Sequence, residues 1–310
     1  MLRWLFLSRQ TSVLAGFSAV MLVLLCLSCG ASPEAKCLDP ETLTLSIIPS
    51  EQGTTNEDFY APLLEHLASR TGKQVDLYLP TSNAAVLEAM ISGYVDIARL
   101  GPYMYVLSQE KAPDVVEIFG IHLMNKGITQ PAGAGYYSVL ITKKDRGLET
   151  IDDLRGKVLA LMDPGSTSGA LVPEMLFTEM ELHGTGLRDY FSEVFYTGGQ
   201  DLSVLAVYEG RADAAFVSSQ ILDPVLRDKG WEDAFNFVWF SPLIPVDAWV
   251  YRATLCSELK EKISEAFLTF HEVEASEDYF RHFNVSRFIP AKDVDYDIIR
   301  RLADKKEEQK

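Results

Sequence analysis

The chain has 310 residues, 47% of them hydrophobic and 23% charged. That excludes a disordered polymer and leaves room for about two folding units at roughly 150 residues each. It carries 28 Lys plus Arg against 44 Asp plus Glu, a formal net charge of −16. So acidic a chain is repelled by phosphate backbones and anionic lipid surfaces, which argues against nucleic acid and against polybasic membrane binding.

Arg3 and Arg9 precede Val13–Ser28, an uncharged run rich in Leu, Val and Met. A basic start followed by such a run predicts a secretory signal over residues 1–28 and a folded part outside the cytoplasm. An uncleaved anchor helix is the alternative, although the run is slightly short of the roughly 18–20 residues that span a bilayer. The run closes on Leu25-Cys26-Leu27-Ser28-Cys29-Gly30, which resembles the lipobox of bacterial lipoproteins, with Cys26 where that pattern usually has Leu. The resemblance implies a lipid on Cys29 and a tether over residues 29–42, holding the protein to the outer face of a membrane. Cys37 and Cys256 then remain, and in an oxidising compartment they either form a disulfide or are two unrelated buried residues. His66, His122, His183, His271 and His282 are scattered without zinc-ligand spacing, so no metal or other cofactor is expected.

From Leu43 the chain alternates strand-like and helix-like stretches. Leu43–Ile48 predicts a strand, and Ala61, Leu64, Leu67 and Ala68 mark a helix closed by Thr71-Gly72. Val75–Leu79 predicts a second strand, Thr81-Ser82-Asn83 opens a helix through Met90, Tyr94–Ala98 predicts a third strand, and Gly101-Pro102 starts another helix. The pattern restarts with strands at Tyr137–Thr142, Val158–Met162, Glu193–Tyr196 and Ala212–Val217, and the last strands fall at Phe235–Phe240 and Trp249–Arg252. Helices complete the chain from about Ser257. This order argues for α/β architecture with mostly parallel sheets flanked by helices. Val86–Ala98 (VLEAMISGYVDIA) is echoed by Val204–Ala215 (VLAVYEGRADAA), each a helix, a Gly turn and a strand with Asp-x-Ala. Two similar halves fit a two-lobed protein with a cleft between them.

Asp163-Pro164-Gly165-Ser166-Thr167-Ser168-Gly169 lies between a buried strand and a helix. The unpaired N–H groups and positive dipole end of that helix, joined by three hydroxyls, make a site for a tetrahedral oxyanion without any cationic side chain. Plain helix capping by Ser or Thr is the alternative. A nucleotide P-loop would need Lys after Gly169, where Ala170 stands, and a hydrolase elbow would need Ser at Thr167.

With DPGSTSGALVP (Asp163–Pro173), TGGQDLSVLAVYEGRADAA (Thr197–Ala215), VDIARLGP (Val95–Pro102) and SPLIPVDAWVYR (Ser241–Arg252), the sequence resembles the substrate-binding proteins of ABC transporters for phosphonate, phosphite and phosphate. The resemblance implies a type II periplasmic-binding fold, with residues 43–138 and 247–310 in one lobe, 141–243 in the other, and a hinge at the crossings. It implies a monomeric receptor, not an enzyme, that closes on a small oxyanion and docks on a permease and ATPase. A sensor subunit for a membrane receptor, or a phosphoesterase, are the other readings.

By the same resemblance Ser166, Thr167 and Ser168 hold the phosphorus oxygens. Gln200 stands where a His is common, and Gln220 where some members use Glu for a ligand amine. Asn83 and Leu100 replace two aromatics, Asp247 keeps a carboxylate, and Tyr103 is a further pocket candidate. With the amine apparatus thinned in this way, phosphite, phosphate or methylphosphonate is expected ahead of an aminoalkylphosphonate. Asp247 beside an anion should repel it unless it accepts a proton-bearing group, and Gln200 cannot titrate.

Overall fold

The computed structural model describes residues 37–47, 53–179 and 186–308. The expected signal segment, Cys26, Cys29 and most of the tether lie outside these residues. Cys37 and Cys256 are both disulfide-bonded.

Residues Asp39–Lys310 form one unit, built on two sheets. The chain runs through β1 (Thr42–Ser46), β2 (Gln74–Tyr78), β3 (Ile97–Leu100), β4 (Val116–Met124) and β5 (Gly135–Tyr136). It continues with β6 (Ser138–Lys143), β7 (Val158–Leu161), β8 (Glu193–Tyr196), β9 (Ala214–Ser218) and β10 (Phe235–Phe240). It returns through β11 (Ile244–Pro245), β12 (Ala248–Arg252) and β13 (Val285–Ile289). The first sheet has the order β13-β4-β12-β3-β1-β2, the second β10-β6-β9-β7-β8, and β5 pairs with β11 where the chain crosses between them.

Apart from β13 the two sheets share one plan. Three parallel strands (β2-β1-β3 and β8-β7-β9) are followed by two antiparallel neighbours (β12-β4 and β6-β10). The sheets are therefore mixed, less uniformly parallel than expected, because the strands next to each crossing enter against the βαβ direction. No strand is expected from the sequence at β4 or β13. Both are antiparallel additions, and the pairing of β4 with β12 shifts register between Trp249, opposite Gly120, and Val250, opposite Ile118.

β3 begins three residues later than its apolar run implies, because Tyr94 and Val95 belong to the turn. The displaced Asp96 explains the internal echo. Its carboxylate accepts from Thr44 N (3.0 Å) while its own N–H bonds Thr44 O (2.9 Å). Asp213 does the same to Val158, through Oδ2 and through its N–H, each at 2.9 Å. Each repeated Asp pins the middle one of its sheet's three parallel strands, and Gly93 and Gly210 supply the left-handed turn before it (φ +76° and +78°). Alanine at Asp213 is expected to cost about 1–3 kcal/mol by leaving a strand N–H unpaired, and alanine at Asp96 more, because its carboxylate also pairs with the largely buried Arg252. Urea titration checks this, and unchanged midpoints would contradict the pinning role.

Alternation along the strands of the second sheet fills two cores. Val139, Ile141, Ala215 and Val217 face Val204 and Leu226 on one side, while Leu140, Leu159, Leu161 and Phe216 face Phe177 and Tyr190 on the other. Coverage on both faces is why these strands read as unbroken apolar runs. The first sheet buries Leu43, Leu45, Ile97, Trp249, Phe267 and Phe288 in one cluster.

Candidate ligand-binding site

The carboxyl ends of β1, β3, β7 and β9 and the start of β12 converge on a cavity of about 80 Å³. Such edges are where open α/β sheets place ligands. Of the residues singled out in the sequence, Asn83, Ser166, Thr167, Gln200, Gln220 and Asp247 line it, together with Tyr60, Arg99 and Asp201. Ser168, Leu100 and Tyr103 do not form its wall. Leu100 is buried in β3 opposite Ala248. The Tyr103 ring lies under Lys306 Nζ, 5.2 Å from its centroid.

After β7 the chain turns sharply. Asp163 Oδ1 accepts from Gly165 N (2.7 Å) and Asp163 O from Ser166 N (2.9 Å). Ser166 caps the following helix, its Oγ accepting from Gly169 N at 3.0 Å. The first turn is wide, with Leu171 N bonding Ser166 O five residues back, before the α-helix Val172–Glu179 continues. Two glycines leave no room for a side chain. A Cβ on Gly169 would lie 2.6 Å from Met162 Cβ, and one on Gly165 would lie 2.6 Å from Met104 Sδ of the other lobe.

Gln200, first residue of the helix Gln200–Glu209, organises this turn. Its Nε2 donates to Ser166 Oγ (3.3 Å) and Ser168 Oγ (3.2 Å), and its Oε1 accepts from Ser218 N (2.9 Å). The backbone N–H fixes which end of the amide faces the serines. Thr167 Oγ1 accepts from Tyr103 N at 2.8 Å. Tyr103 thus meets the turn through its backbone, not its ring. Ser166 Oγ already accepts two donors, so its own hydrogen remains to be donated. Burial, reinforced by the charge of Asp247, pushes the Tyr136 hydroxyl far above its ordinary value, and it stays neutral beside Ser168 and Thr167.

Asp247 does not stand alone as the sequence implied. Arg99 Nη2 donates to its Oδ2 at 2.6 Å, with both side chains about nine-tenths buried. The pairing corrects the expectation of a site without a cation and removes the expected repulsion. Burial opposes the Arg99 charge, but Asp247, Tyr60 and Tyr279 outweigh it and hold the guanidinium protonated. Tyr60 hydrogen-bonds both Arg99 and Tyr279, and the Tyr279 hydroxyl reaches His122 Nε2 at 2.9 Å. Arg99 was legible as a charge inside an apolar strand, a placement that demands a buried partner. Asp201, with a buried oxygen that has no partner, and Tyr60 gave no comparable signal.

Burial and the Arg99 charge hold the His122 imidazole well below its ordinary value. Below about pH 6.5 the unfolded chain binds a proton that folded His122 refuses, so stability falls with pH by up to about 1.4 kcal/mol per unit. Denaturant unfolding at about pH 7 and about pH 5.5 is expected to show this loss, shallower in His122→Gln. Equal slopes in the two proteins would contradict it.

The lobes also meet around the cavity. Asp223 accepts from Thr129 N (2.9 Å), Thr129 Oγ1 (2.5 Å) and Gln130 N (3.0 Å), and Lys306 Nζ pairs with Glu174 Oε2 at 2.8 Å. Two lobes joined by paired crossing strands and meeting at a cavity lined in part by polar side chains define a hinged ligand-capturing protein. The family described as the periplasmic substrate-binding proteins of phosphonate ABC transporters matches residues 45–296, and the chain belongs to it.

The chain is 29% identical to the phosphate-import protein PhnD of Mycolicibacterium smegmatis, over 93% of this chain and 94% of that protein. It is 26% identical to the phosphonates-binding periplasmic protein of Escherichia coli, over 87% and 78%. PhnD1 from Prochlorococcus marinus, solved in complex with methylphosphonate, superposes with a TM-score of 0.73 at 18% identity, over 87% and 99% of the two chains. At that identity the likeness is one of fold, the type II periplasmic-binding architecture. The chain is thus the extracytoplasmic substrate-binding component of an ABC importer, which takes up a small ligand and works with a permease and an ATPase.

Proposed function

We propose that this component captures a small phosphorus oxyanion, namely phosphate, phosphite or a small phosphonate such as methylphosphonate, by lobe closure. The observation that carries the reading is the hydroxyl turn Ser166–Ser168, whose oxygens are occupied by Gln200 Nε2, Gly169 N and Tyr103 N. Ser166 Oγ, held as an acceptor from behind and lining the cavity, presents its hydrogen forward, toward an anion at the start of a helix. Arg99 adds a cation, and a cavity of about 80 Å³ is far below the roughly 300–1,000 Å³ of drug-sized pockets.

The same contacts favour a receptor over a phosphoesterase. The groups bonded to the Ser166 hydroxyl are amides, which donate and cannot take up a proton, whereas a nucleophilic serine needs a base. The lipobox-like Ser28-Cys29 and the leading apolar run support export with a lipid on Cys29, and the reading is of a monomer. A bridge between Cys37 and Cys256 belongs to the same proposal, and peptide mapping without reduction reads it directly.

Ligand-free protein, prepared by unfolding and refolding, is to be melted with orthophosphate, phosphite, methylphosphonate or sulfate. One phosphorus oxyanion at about a hundred times its Kd is expected to add about 2.7 kcal/mol to stability. Melting unaffected by every phosphorus oxyanion, or raised only by sulfate, would overturn the assignment.

A further inference from the structure

We propose that Arg99 sets the specificity of this cavity, donating Nε–H to the bound oxyanion and, by neutralising Asp247, excluding ligands that carry an ammonium group. This rests on the phosphorus-oxyanion reading above and deepens it. Arg99 is 7% exposed, at the carboxyl end of β3, and lines the cavity. Its Nη2 is committed to Asp247 Oδ2 at 2.6 Å, and the Tyr60 hydroxyl also bonds the guanidinium. Nε is buried and has no acceptor in the protein. A guanidinium is planar and presents its donors as a fixed fork, so an Nη2 locked on a carboxylate also fixes where Nε–H points.

The unpartnered atoms around the cavity divide by kind. Arg99 Nε is a donor, while Gln220 Oε1 and Asp201 Oδ1 are acceptors, all three buried without a partner. A tetrahedral oxyanion that keeps one P–OH offers both an acceptor for the first and a donor for the others. Asp247 on its own would present a carboxylate to the ligand and so select for a cation. Paired with Arg99 it contributes no net charge, and only Asp201, from the opposite lobe, remains as a second carboxylate in the wall.

The test compares calorimetric titrations of the full chain with methylphosphonate and 2-aminoethylphosphonate. The unmodified protein is expected to prefer methylphosphonate by at least tenfold. Arg99→Gln should lose at least tenfold in methylphosphonate affinity and shift the ratio toward 2-aminoethylphosphonate, because Asp247 is then unpaired. Should Arg99→Gln not fold, the neutral pair Arg99→Gln with Asp247→Asn decides, with the same loss for methylphosphonate and no gain for the amine. Unmodified protein that binds neither compound, nor orthophosphate or phosphite, would sink the oxyanion reading and this inference with it. Unmodified protein that binds both equally, with Asp201 taking the ammonium, would overturn the inference alone. So would variants with undiminished methylphosphonate affinity.

Discussion

Exchange of Ser166 and Ser168 together for alanine is expected to weaken oxyanion binding by about a hundredfold or more, with little change in fold. A hydrogen bond to a charged group contributes about 1.5–3 kcal/mol, and about 1.4 kcal/mol is a factor of ten. Ser166 lines the cavity, so its loss removes a donor outright. Ser168 is set behind the wall, held by Gln200 Nε2 at 3.2 Å and bonded through its carbonyl to Ser138 Oγ at 2.6 Å. Its loss frees Gln200 to turn and so disorders the donors that remain. Ser168→Ala alone should therefore act through position, and Ser166→Ala through direct contact. Calorimetry on both single variants and the double variant separates the two. Affinity undiminished in the double variant would remove the hydroxyl turn from the site.

Asp247→Ala is expected to be the most damaging single change to stability in the cavity, at about 3–5 kcal/mol. It leaves the Arg99 guanidinium buried without its counter-ion, and breaking such a pair costs far more than never having made it. The same principle predicts recovery when both charges go. Asp247→Leu combined with Arg99→Met should restore most of the lost stability while oxyanion binding stays weak. At about 2–4 °C per kcal/mol for a chain of this size, the single variant should melt on the order of 10 °C lower. A single variant as stable as the parent would mean that water reaches Arg99 and the pair is not buried.

The unevenness of what the sequence showed has a physical cause. Ser166, Thr167 and Ser168 are contiguous, and a turn that builds its site from neighbours can be read from the chain alone. The repeated Asp-x-Ala was equally visible, although its role emerged only in the fold, where Asp96 and Asp213 each tie down the middle one of three parallel strands. The Arg99–Asp247 pair joins positions 148 residues apart. Only the folded chain shows that the carboxylate expected to face the ligand alone has a partner. β4 and β13 escaped for a related reason. They are added antiparallel at one edge of the first sheet, outside the alternation of strands and helices that revealed the others. Tyr103 was singled out for its ring, whereas its backbone N–H meets Thr167, and no side-chain pattern records that.

A crystal structure of the protein with methylphosphonate or phosphite decides whether the Ser166–Ser168 turn holds the ligand. Phosphorus oxygens are expected about 2.5–3.0 Å from Ser166 Oγ and Thr167 Oγ1, as charge-assisted O–H donors require. One oxygen is expected within about 3 Å of Arg99 Nε. An anion bound elsewhere, with the Ser166–Ser168 turn making no contact to it, would remove that turn from ligand capture.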